Sequence, residues 1–178
     1  NTRSRGLGDV YKRQPYGGGP GMVMRPEPFI NSVIELKEND QYTPYVIMTS
    51  PNGNNFDEKK VIELSKKESV YILCGRYEGV DQRVNDLVVD EEVSVGNFIV
   101  SGGEVPAMII SDSIIRKIPG ILGSSESNKN ETFSIDNDFS KKEPVYTKPR
   151  LFMGAEVPNV LLSGYHSKID QWKKDNRF

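Results

Sequence analysis

Short apolar runs that end near glycines alternate with segments of helical pattern along most of the chain. Apolar runs of this kind are typical of strands buried on both faces, and their alternation with helices favours a largely parallel sheet. The sequence therefore predicts an α/β fold, with a largely parallel sheet flanked by helices. The predicted strands are residues 45–49, 70–74 and 97–100, and the predicted helices are residues 28–38, 57–67, 81–87 and 104–118.

Composition narrows the class of protein. The chain has 178 residues, a net charge of −2, and no run of eighteen apolar residues that would cross a membrane. A single cysteine, Cys74, excludes an internal disulfide and a cysteine-based metal site. These features predict a cytoplasmic protein that does not enter a membrane. The net charge does not favour a nucleic-acid partner, which would have to be met by local basic groups.

Segments of unusual composition predict the domain boundaries. Residues 1–14 show neither helical nor strand periodicity and are predicted to be a disordered or foreign leader. Residues 15–123 carry the alternating pattern and form the predicted main domain. Residues 124–143 are rich in Ser, Asn, Asp and Lys, which predicts a flexible linker. The remaining segment, residues 144–178, is predicted to contain two short helices between positions 157 and 174.

Two glycine-containing segments, residues 74–79 and 94–104, each lie at the end of a predicted strand. Each alone is explained by a tight turn or by a strand-to-helix junction. Ligands of open α/β sheets collect at the carboxyl ends of strands, so the two together predict a ligand site built from main-chain amides. The glycine loop at residues 17–21 lacks the Lys-Ser/Thr pair of a phosphate-binding loop and is predicted to be a turn.

Seven short motifs in order resemble the TrmD-type bacterial tRNA (guanine-N1)-methyltransferases of the SPOUT class. The resemblance covers residues 15 to about 172. The motifs are Pro15-Tyr16-Gly17-Gly18-Gly19-Pro20-Gly21-Met22, Ser50-Pro51-x-Gly53, Cys74-Gly75-Arg76-Tyr77-Glu78-Gly79, Ser94-x-Gly96, Ser101-Gly102-Gly103-Glu104-x-Pro106-Ala107, Ile118-Pro119-Gly120-x-Leu122-Gly123 and Val160-Leu161-Leu162-Ser163-Gly164-x-His166.

The resemblance implies methyl transfer from S-adenosylmethionine to N1 of guanosine 37 of tRNA, next to the anticodon. It implies a deep trefoil knot within residues 15–123, with the family's first strand and helix missing. Residues 144–178 would begin a truncated C-terminal helical domain that binds tRNA. A homodimer with active sites at the interface is also implied, as is stimulation by Mg²⁺, although no carboxylate cluster in the sequence marks a metal site.

Positions that match the family's motifs give the predicted cofactor contacts. On this interpretation Gly103 forms the floor of the pocket, so a valine there would block the cofactor without unfolding the chain. The predicted contacts are Ser50, Pro51, Gly75, Tyr77, Glu78, Ser94, Val95, Gly96, Asn97, Phe98, Ile99, Val100, Gly102, Gly103 and Pro106.

Two residues match the family's catalytic positions. Arg116 would stabilise negative charge on O6 of the guanine, and its alternative role is to favour the C-terminal end of a helix. Glu131 stands where the family has an aspartate and would remove the N1 proton. Asp136 or Asp138 could take that role instead, and Glu131 would then be a solvated charge. Two other functions stay open: methylation of another RNA nucleotide, and non-catalytic binding of RNA or a nucleotide.

Overall fold

A three-stranded parallel sheet organises the first part of the structure, with the strand of residues 45–55 between the strands of residues 70–74 and 91–94. The computed structural model describes residues 12–121, 131–135 and 138–178. Contacts divide the chain into two units, Asn1–Ile121 and Leu122–Phe178. The elements of the first unit are β1 (Lys12–Arg13), β2 (Val23–Met24), α1 (Pro26–Asn39), β3 (Tyr45–Asn55), α2 (Glu58–Leu64), β4 (Val70–Cys74), α3 (Gln82–Val88), β5 (Glu91–Ser94) and α4 (Glu104–Ile115).

The central strand β3 is covered on both faces. Ile47 packs in a core cluster with residues from α2, β5 and α4, namely Leu64, Val93, Ile110 and Ile114. Val46 and Met48 point to the opposite face, because side chains alternate along a strand, and they are buried as well. The predicted α/β fold with a parallel sheet is therefore confirmed.

Local capping explains where two of the helices begin. The Asp57 carboxylate accepts a hydrogen bond from the Lys60 amide at 2.9 Å, which caps α2. Asp81 accepts one from the Arg83 amide at 3.0 Å and caps α3. Such caps satisfy amides that have no partner inside the helix. Helix α1 starts with proline instead, whose fixed φ suits a first turn.

The third strand lies earlier than the sequence predicts. β5 is Glu91–Ser94, whereas residues 97–100 are not a strand, and Ile99 is 82% exposed. Two acidic residues can occupy β5 because other elements satisfy them. Glu91 accepts hydrogen bonds from Lys60, Tyr45 and Asn54, and Glu92 accepts one from Asn85 at 2.6 Å. The prediction of a strand at residues 97–100 was wrong, because that apolar run is not packed in the core.

Strand β3 contains a bulge where the sequence predicts a terminating turn. Val93 of β5 pairs with both Thr49 and Asn54 of β3, so residues 50–53 protrude and the strand then resumes. A Cβ on Gly53 would meet the backbone of Glu92 and Val93. Glycine is required there because β5 passes directly beside it.

Antiparallel pairing joins β1 to β2, with Arg13 opposite Val23. The glycine loop at residues 17–21 connects these two strands, which agrees with the predicted turn. Residues 12 and 13 of the predicted leader thus take part in a sheet. Residues 1–11 lie outside the described residues.

The second unit contains a β-hairpin and two short helical segments. Its elements are β6 (Leu151–Phe152), β7 (Ala155–Glu156), a 3₁₀-helix (Asn159–Leu162) and α5 (His166–Asp175). The rings of Tyr146 and Trp172 have centroids 6.3 Å apart, a spacing typical of interacting aromatic pairs. The two helices predicted between positions 157 and 174 correspond to the 3₁₀-helix and α5. Of the predicted linker, residues 124–130, 136 and 137 lie outside the described residues.

The environment of Glu91 makes stability depend on pH. Burial works to raise the pKa of Glu91, but hydrogen bonds from Lys60 and Asn54, together with the charge of Lys60, bring it below its ordinary value of 4.5. A carboxylate whose pKa is lowered by folding stabilises the fold above its unfolded pKa. That stabilisation is lost as the pH falls through the folded pKa.

We expect Glu91→Gln to lower the free energy of unfolding by about 1–2 kcal/mol at neutral pH, because Lys60 loses a partly buried charged partner. The difference from wild type should shrink as the pH falls below about 4.5. Urea unfolding at neutral pH and near pH 3 measures both effects. Glu63→Gln is the matched control, since Glu63 also pairs with Lys60 but its side chain is 47% exposed. Equal losses of unfolding free energy in the two variants would contradict the stronger contribution assigned to the partly buried Glu91.

Candidate functional site

Three loops leave the sheet at the same edge. Thr49 of β3 pairs with Cys74, the last residue of β4, and with Val93, which precedes the last residue of β5. The bulge at residues 50–53 and the segments beginning at Gly75 and Val95 therefore start beside one another. This is the carboxyl edge of a parallel sheet, where ligands of such folds bind.

The loop of residues 75–79 adopts a constrained conformation. Tyr77 has a φ of +61° and Gly79 a φ of +108°, and positive φ is unfavourable for an aromatic residue. Backbone hydrogen bonds join this loop to the region of β2, from the Glu78 amide to Met22 O at 3.0 Å and from the Met24 amide to Gly79 O at 2.9 Å. The Tyr77 ring is half exposed, and Lys12 Nζ lies 4.1 Å from its centroid.

The two glycine segments meet directly. Arg76 and Gly102 form an isolated antiparallel bridge, and the Gly103 amide donates to Gly75 O at 2.8 Å. An ion pair crosses the same contact, with Arg76 Nε 2.6 Å from Glu104 Oε1. The sequence predicted neither partner of this pair as a site residue. The only indication of this ion pair in the sequence was a basic residue in one loop and an acidic residue at the start of the following helix.

Gly103 has a packing role that the sequence interpretation missed. A Cβ at this position would collide with Thr49 Oγ1 and would lie 2.9 Å from Cys74 Cα and 3.0 Å from the Gly75 amide nitrogen. The Cβ side of Gly103 is therefore filled by the ends of β3 and β4. This packing is at odds with the expectation that Gly103→Val leaves the fold intact, because a side chain there must displace neighbouring atoms, the Cys74 backbone among them.

The segment after β5 forms a shallow cleft with the end of β3. A concavity of about 330 Å³ is lined by Asn55, Phe56 and residues 94–97. The Ser94 hydroxyl lies 3.2 Å from Gly96 O and 3.3 Å from the Gly96 amide, and the Phe56 amide donates to Ser94 O at 2.8 Å. Phe98, Ile99 and Val100 continue this segment with their side chains exposed. The cleft is at the lower end of the size range of ligand pockets.

Arg76, Glu104 and Cys74, which lie at this edge, have shifted pKa values. The hydrogen bond from Arg76 is the main reason that the pKa of Glu104 lies below its ordinary range, and the same bond raises the pKa of Arg76. Burial, with the nearby charge of Glu104, raises the pKa of the Cys74 thiol. Cys74 therefore remains a neutral thiol at physiological pH, as expected for a small partly buried side chain.

The predicted catalytic residues belong to different units. Arg116 caps the C-terminal end of α4 in the first unit, where its amide donates to Asp112 O. Glu131 lies in the second unit, where its carbonyl accepts a hydrogen bond from the Ser134 amide at 3.1 Å. Of the alternative bases, Asp138 is described and has a φ of +47°. Asp136 lies outside the described residues.

Within residues 12–121, 131–135 and 138–178, no cluster of three or more His, Cys, Asp or Glu side chains is arranged to hold a metal ion. Among the helices of that same part of the chain, none has the length and apolar character needed to span a bilayer.

A parallel α/β sheet whose carboxyl edge carries interlocking glycine loops is typical of proteins that bind a nucleotide-like cofactor. Comparison with known proteins gives the family. The sequence profile described as tRNA (Guanine-1)-methyltransferase TrmD matches residues 9–178. The chain belongs to this family. The match begins at residue 9, inside the segment predicted to be an unmatched leader.

Curated relatives are similar over most of this chain. A protein named tRNA (guanine-N(1)-)-methyltransferase from Carboxydothermus hydrogenoformans is 50% identical over 161 residues, which are 90% of this chain and 61% of that protein. The protein of the same name from Persephonella marina is 50% identical over 159 residues, 89% of this chain and 61% of its own length. The Staphylococcus aureus (strain JH9) protein is 44% identical over 163 residues, 92% of this chain and 64% of its length. The chain thus spans less than two thirds of these relatives.

The packing of Gly103 leads to a test with a neighbouring glycine as control. We expect Gly103→Ala to lower the free energy of unfolding by about 1–3 kcal/mol, because overpacking against backbone forces the chain to shift. Gly102→Ala should cost less. A Cβ at Gly102 would meet the side chains of Arg76 and Glu104, which are half exposed and can move. Urea denaturation of the three proteins measures the difference, and equal stability of the two variants would refute the packing role.

Proposed function

We propose that this protein transfers a methyl group from S-adenosylmethionine to N1 of guanosine 37 in tRNA. The family match over residues 9–178 is the observation that carries the proposal. Each of the three relatives is named as a tRNA (guanine-N(1)-)-methyltransferase. The converging glycine loops add physical support, because they supply main-chain groups at one edge of the sheet. Since tRNA is the proposed substrate, we also propose a cytoplasmic location.

The residues at this edge fit an adenosine-containing cofactor. Exposed apolar side chains of Phe98, Ile99 and Val100 lie in the same segment as the cleft at residues 94–97, so apolar contacts and backbone polar groups are close together. Ligand sites of this kind combine an apolar lining with a few polar groups. When bound, S-adenosylmethionine supplies the methyl group from its sulfonium. We keep the predicted contact residues as proposed ones, with Gly103 acting through packing.

Two side chains are proposed to handle the charge and the proton of the guanine. The Arg116 guanidinium would stabilise negative charge that develops on O6, since a fixed cation there favours the transition state. The Glu131 carboxylate would accept the proton from N1, because a base must remove it as the new bond forms. Glutamate and aspartate have similar intrinsic pKa values, about 4.3 and 3.9, so the replacement preserves basicity.

Homodimerisation is proposed from the family resemblance and is supported by the surface of α4. Val105, Met108, Ile109 and Ile115 are large apolar residues of this helix and are exposed, Met108 by 72%. Met108 and Ile109 follow Val105 by three and four residues, and Ile115 follows Met108 by seven, so all four lie along one side of the helix. Exposed apolar patches of this kind mark interaction surfaces. A second copy covering this side would bury it.

Three further family properties remain proposals. The trefoil knot is supported by the return of residues 102 and 103 to the loop after β4, where they pair with Arg76 and Gly75. The identity of residues 144–178 as the start of a tRNA-binding helical domain rests on the resemblance. Stimulation by Mg²⁺ rests on the resemblance as well.

Substrate choice tests the proposed reaction. Unmodified tRNA transcripts with guanosine at position 37 should accept radioactive methyl groups from labelled S-adenosylmethionine. Transcripts with adenosine at that position should stay at background, because adenine N1 carries no proton to remove and O6 is absent. Equal labelling of both transcripts would favour methylation of another nucleotide. Failure of the protein to bind S-adenosylmethionine in calorimetry would favour a non-catalytic role.

Substitution of the proposed base gives a second test. Glu131→Gln should lower kcat by about a hundredfold or more, which is the typical contribution of a general base. The affinity for S-adenosylmethionine should change little, since the carboxylate acts on the guanine. Asp138→Asn is the comparison, because Asp138 is the other described candidate. An unchanged rate in Glu131→Gln, with loss in Asp138→Asn, would move the base to Asp138.

A further inference from the structure

Arg76 and Glu104 connect loops that are far apart in sequence. Arg76 lies in the loop that follows β4, and Glu104 is the first residue of α4, 28 positions later. The pair is half exposed on both sides, and its 2.6 Å distance is short for a charged hydrogen bond. No contact with substrate or cofactor is assigned to either residue in the proposed function.

The ion pair lies across Gly102. A Cβ on Gly102 would be 3.0 Å from Arg76 Cγ and 3.3 Å from Arg76 Nε, and it would also meet Glu104 Oε2. The side chains thus pack over the bare backbone of the second glycine segment. The backbone bridge between Arg76 and Gly102 lies at the same place. The ion pair and the backbone bridge therefore connect the two glycine segments at one place.

The loop held by Arg76 is under backbone strain. Tyr77 keeps a φ of +61°, and such conformations persist only when the surroundings fix them. Hydrogen bonds to Met22 and Met24 secure the loop on the side of β2. The Arg76–Glu104 pair secures it on the side of α4. The loop between these attachments carries the proposed cofactor contacts Gly75, Tyr77 and Glu78.

We propose that Arg76 and Glu104 are positioning residues for S-adenosylmethionine. Their ion pair keeps the loop after β4 at a fixed distance from the segment before α4, so that the proposed contacts in both are arranged before the cofactor binds. Preorganisation of this kind raises affinity, because less ordering is required on binding. The inference rests on the proposed function, and it adds a role for two side chains outside the proposed contacts.

The strength of the pair sets the size of the effect. A half-exposed ion pair contributes at most about 1 kcal/mol. It can change the free energy of binding by no more than the difference between its contributions in the free and bound states. The expected loss of affinity is therefore about fivefold, since 1.4 kcal/mol corresponds to a factor of ten. Salt should reduce the effect, because exposed charges are screened.

A double-mutant cycle tests the inference. Calorimetry would give the Kd for S-adenosylmethionine of wild type, Arg76→Gln, Glu104→Gln and the double variant. We expect each single variant to bind about fivefold more weakly and the double variant to be no weaker than the singles, since the two residues act as one unit. In methylation assays the KM for S-adenosylmethionine should rise by a similar factor with kcat unchanged. Arg76→Lys, which keeps the charge, should recover part of the affinity.

Arg83→Gln is the matched control. Arg83 also forms an exposed ion pair, with Asp81 at 2.7 Å, but the two residues are only two positions apart and connect no separate loops. The affinity of Arg83→Gln for S-adenosylmethionine should equal that of wild type. Thermal unfolding of every variant shows whether the fold is intact, and Arg76→Lys together with Glu104→Gln carries the test if Arg76→Gln is unstable.

Different results would overturn different claims. If wild type binds and both glutamine variants bind equally well, the positioning role is wrong and the proposed function stands. Additive losses, with the double variant about 25-fold weaker, would also overturn it, since independent effects multiply. A lower kcat with unchanged KM would assign the residues to the chemical step. If wild type does not bind S-adenosylmethionine, the proposed function fails together with the inference.

Discussion

The missing side chain of Gly103 lets the start of α4 lie directly against the edge of the sheet, and the arrangement of the loops depends on this contact. Thr49, Cys74 and Gly75 fill the space that a Cβ would need, while the Gly103 amide bonds to Gly75 O. From this point α4 extends along the sheet and places Ile110 and Ile114 in the core. Core packing and the geometry of the candidate site are therefore fixed by the same close approach, so a change at this glycine affects both.

Much of the sheet could be predicted, because β3 and β4 are simple apolar runs and because Asp57 and Asp81 mark the starts of two helices. β5 could not be predicted, since Glu91 and Glu92 are compatible with a strand only through partners that lie elsewhere in the sequence, such as Lys60 and Asn85. Apolar content also wrongly predicts a strand at residues 97–100, where Phe98, Ile99 and Val100 are exposed rather than packed in the core. Local sequence pattern identifies strands whose own side chains are apolar and buried. It misses strands whose polar side chains are satisfied by partners far away in the sequence.

The glycines gave the position of the candidate site but not the role of each one. Glycine permits close approach by a ligand or by another segment of the chain, and sequence cannot distinguish these two uses. At Gly103 and Gly53 the neighbouring atom is protein, whereas a Cβ at Gly79 would meet nothing within 4 Å. The pairing of Arg76 with Glu104 could not be predicted either, because each charge has several possible partners until the loops are placed. The proposed roles of Arg116 and Glu131 come from resemblance, and the structure adds only their local settings.

Net charge was a poor guide to the proposed substrate, and the distribution of charge explains why. Residues 138–178 contain eight Lys and Arg against five Asp and Glu, so this segment is positive in a chain whose total is −2. Within the first unit, several acidic residues are paired with bases, among them Glu91 with Lys60 and Glu104 with Arg76. Such pairs are nearly neutral at a distance, because opposite charges a few ångströms apart cancel beyond the screening length. A polyanion such as tRNA responds to the local excess of positive charge rather than to the sum over the chain, and the acidic total is therefore compatible with a tRNA substrate.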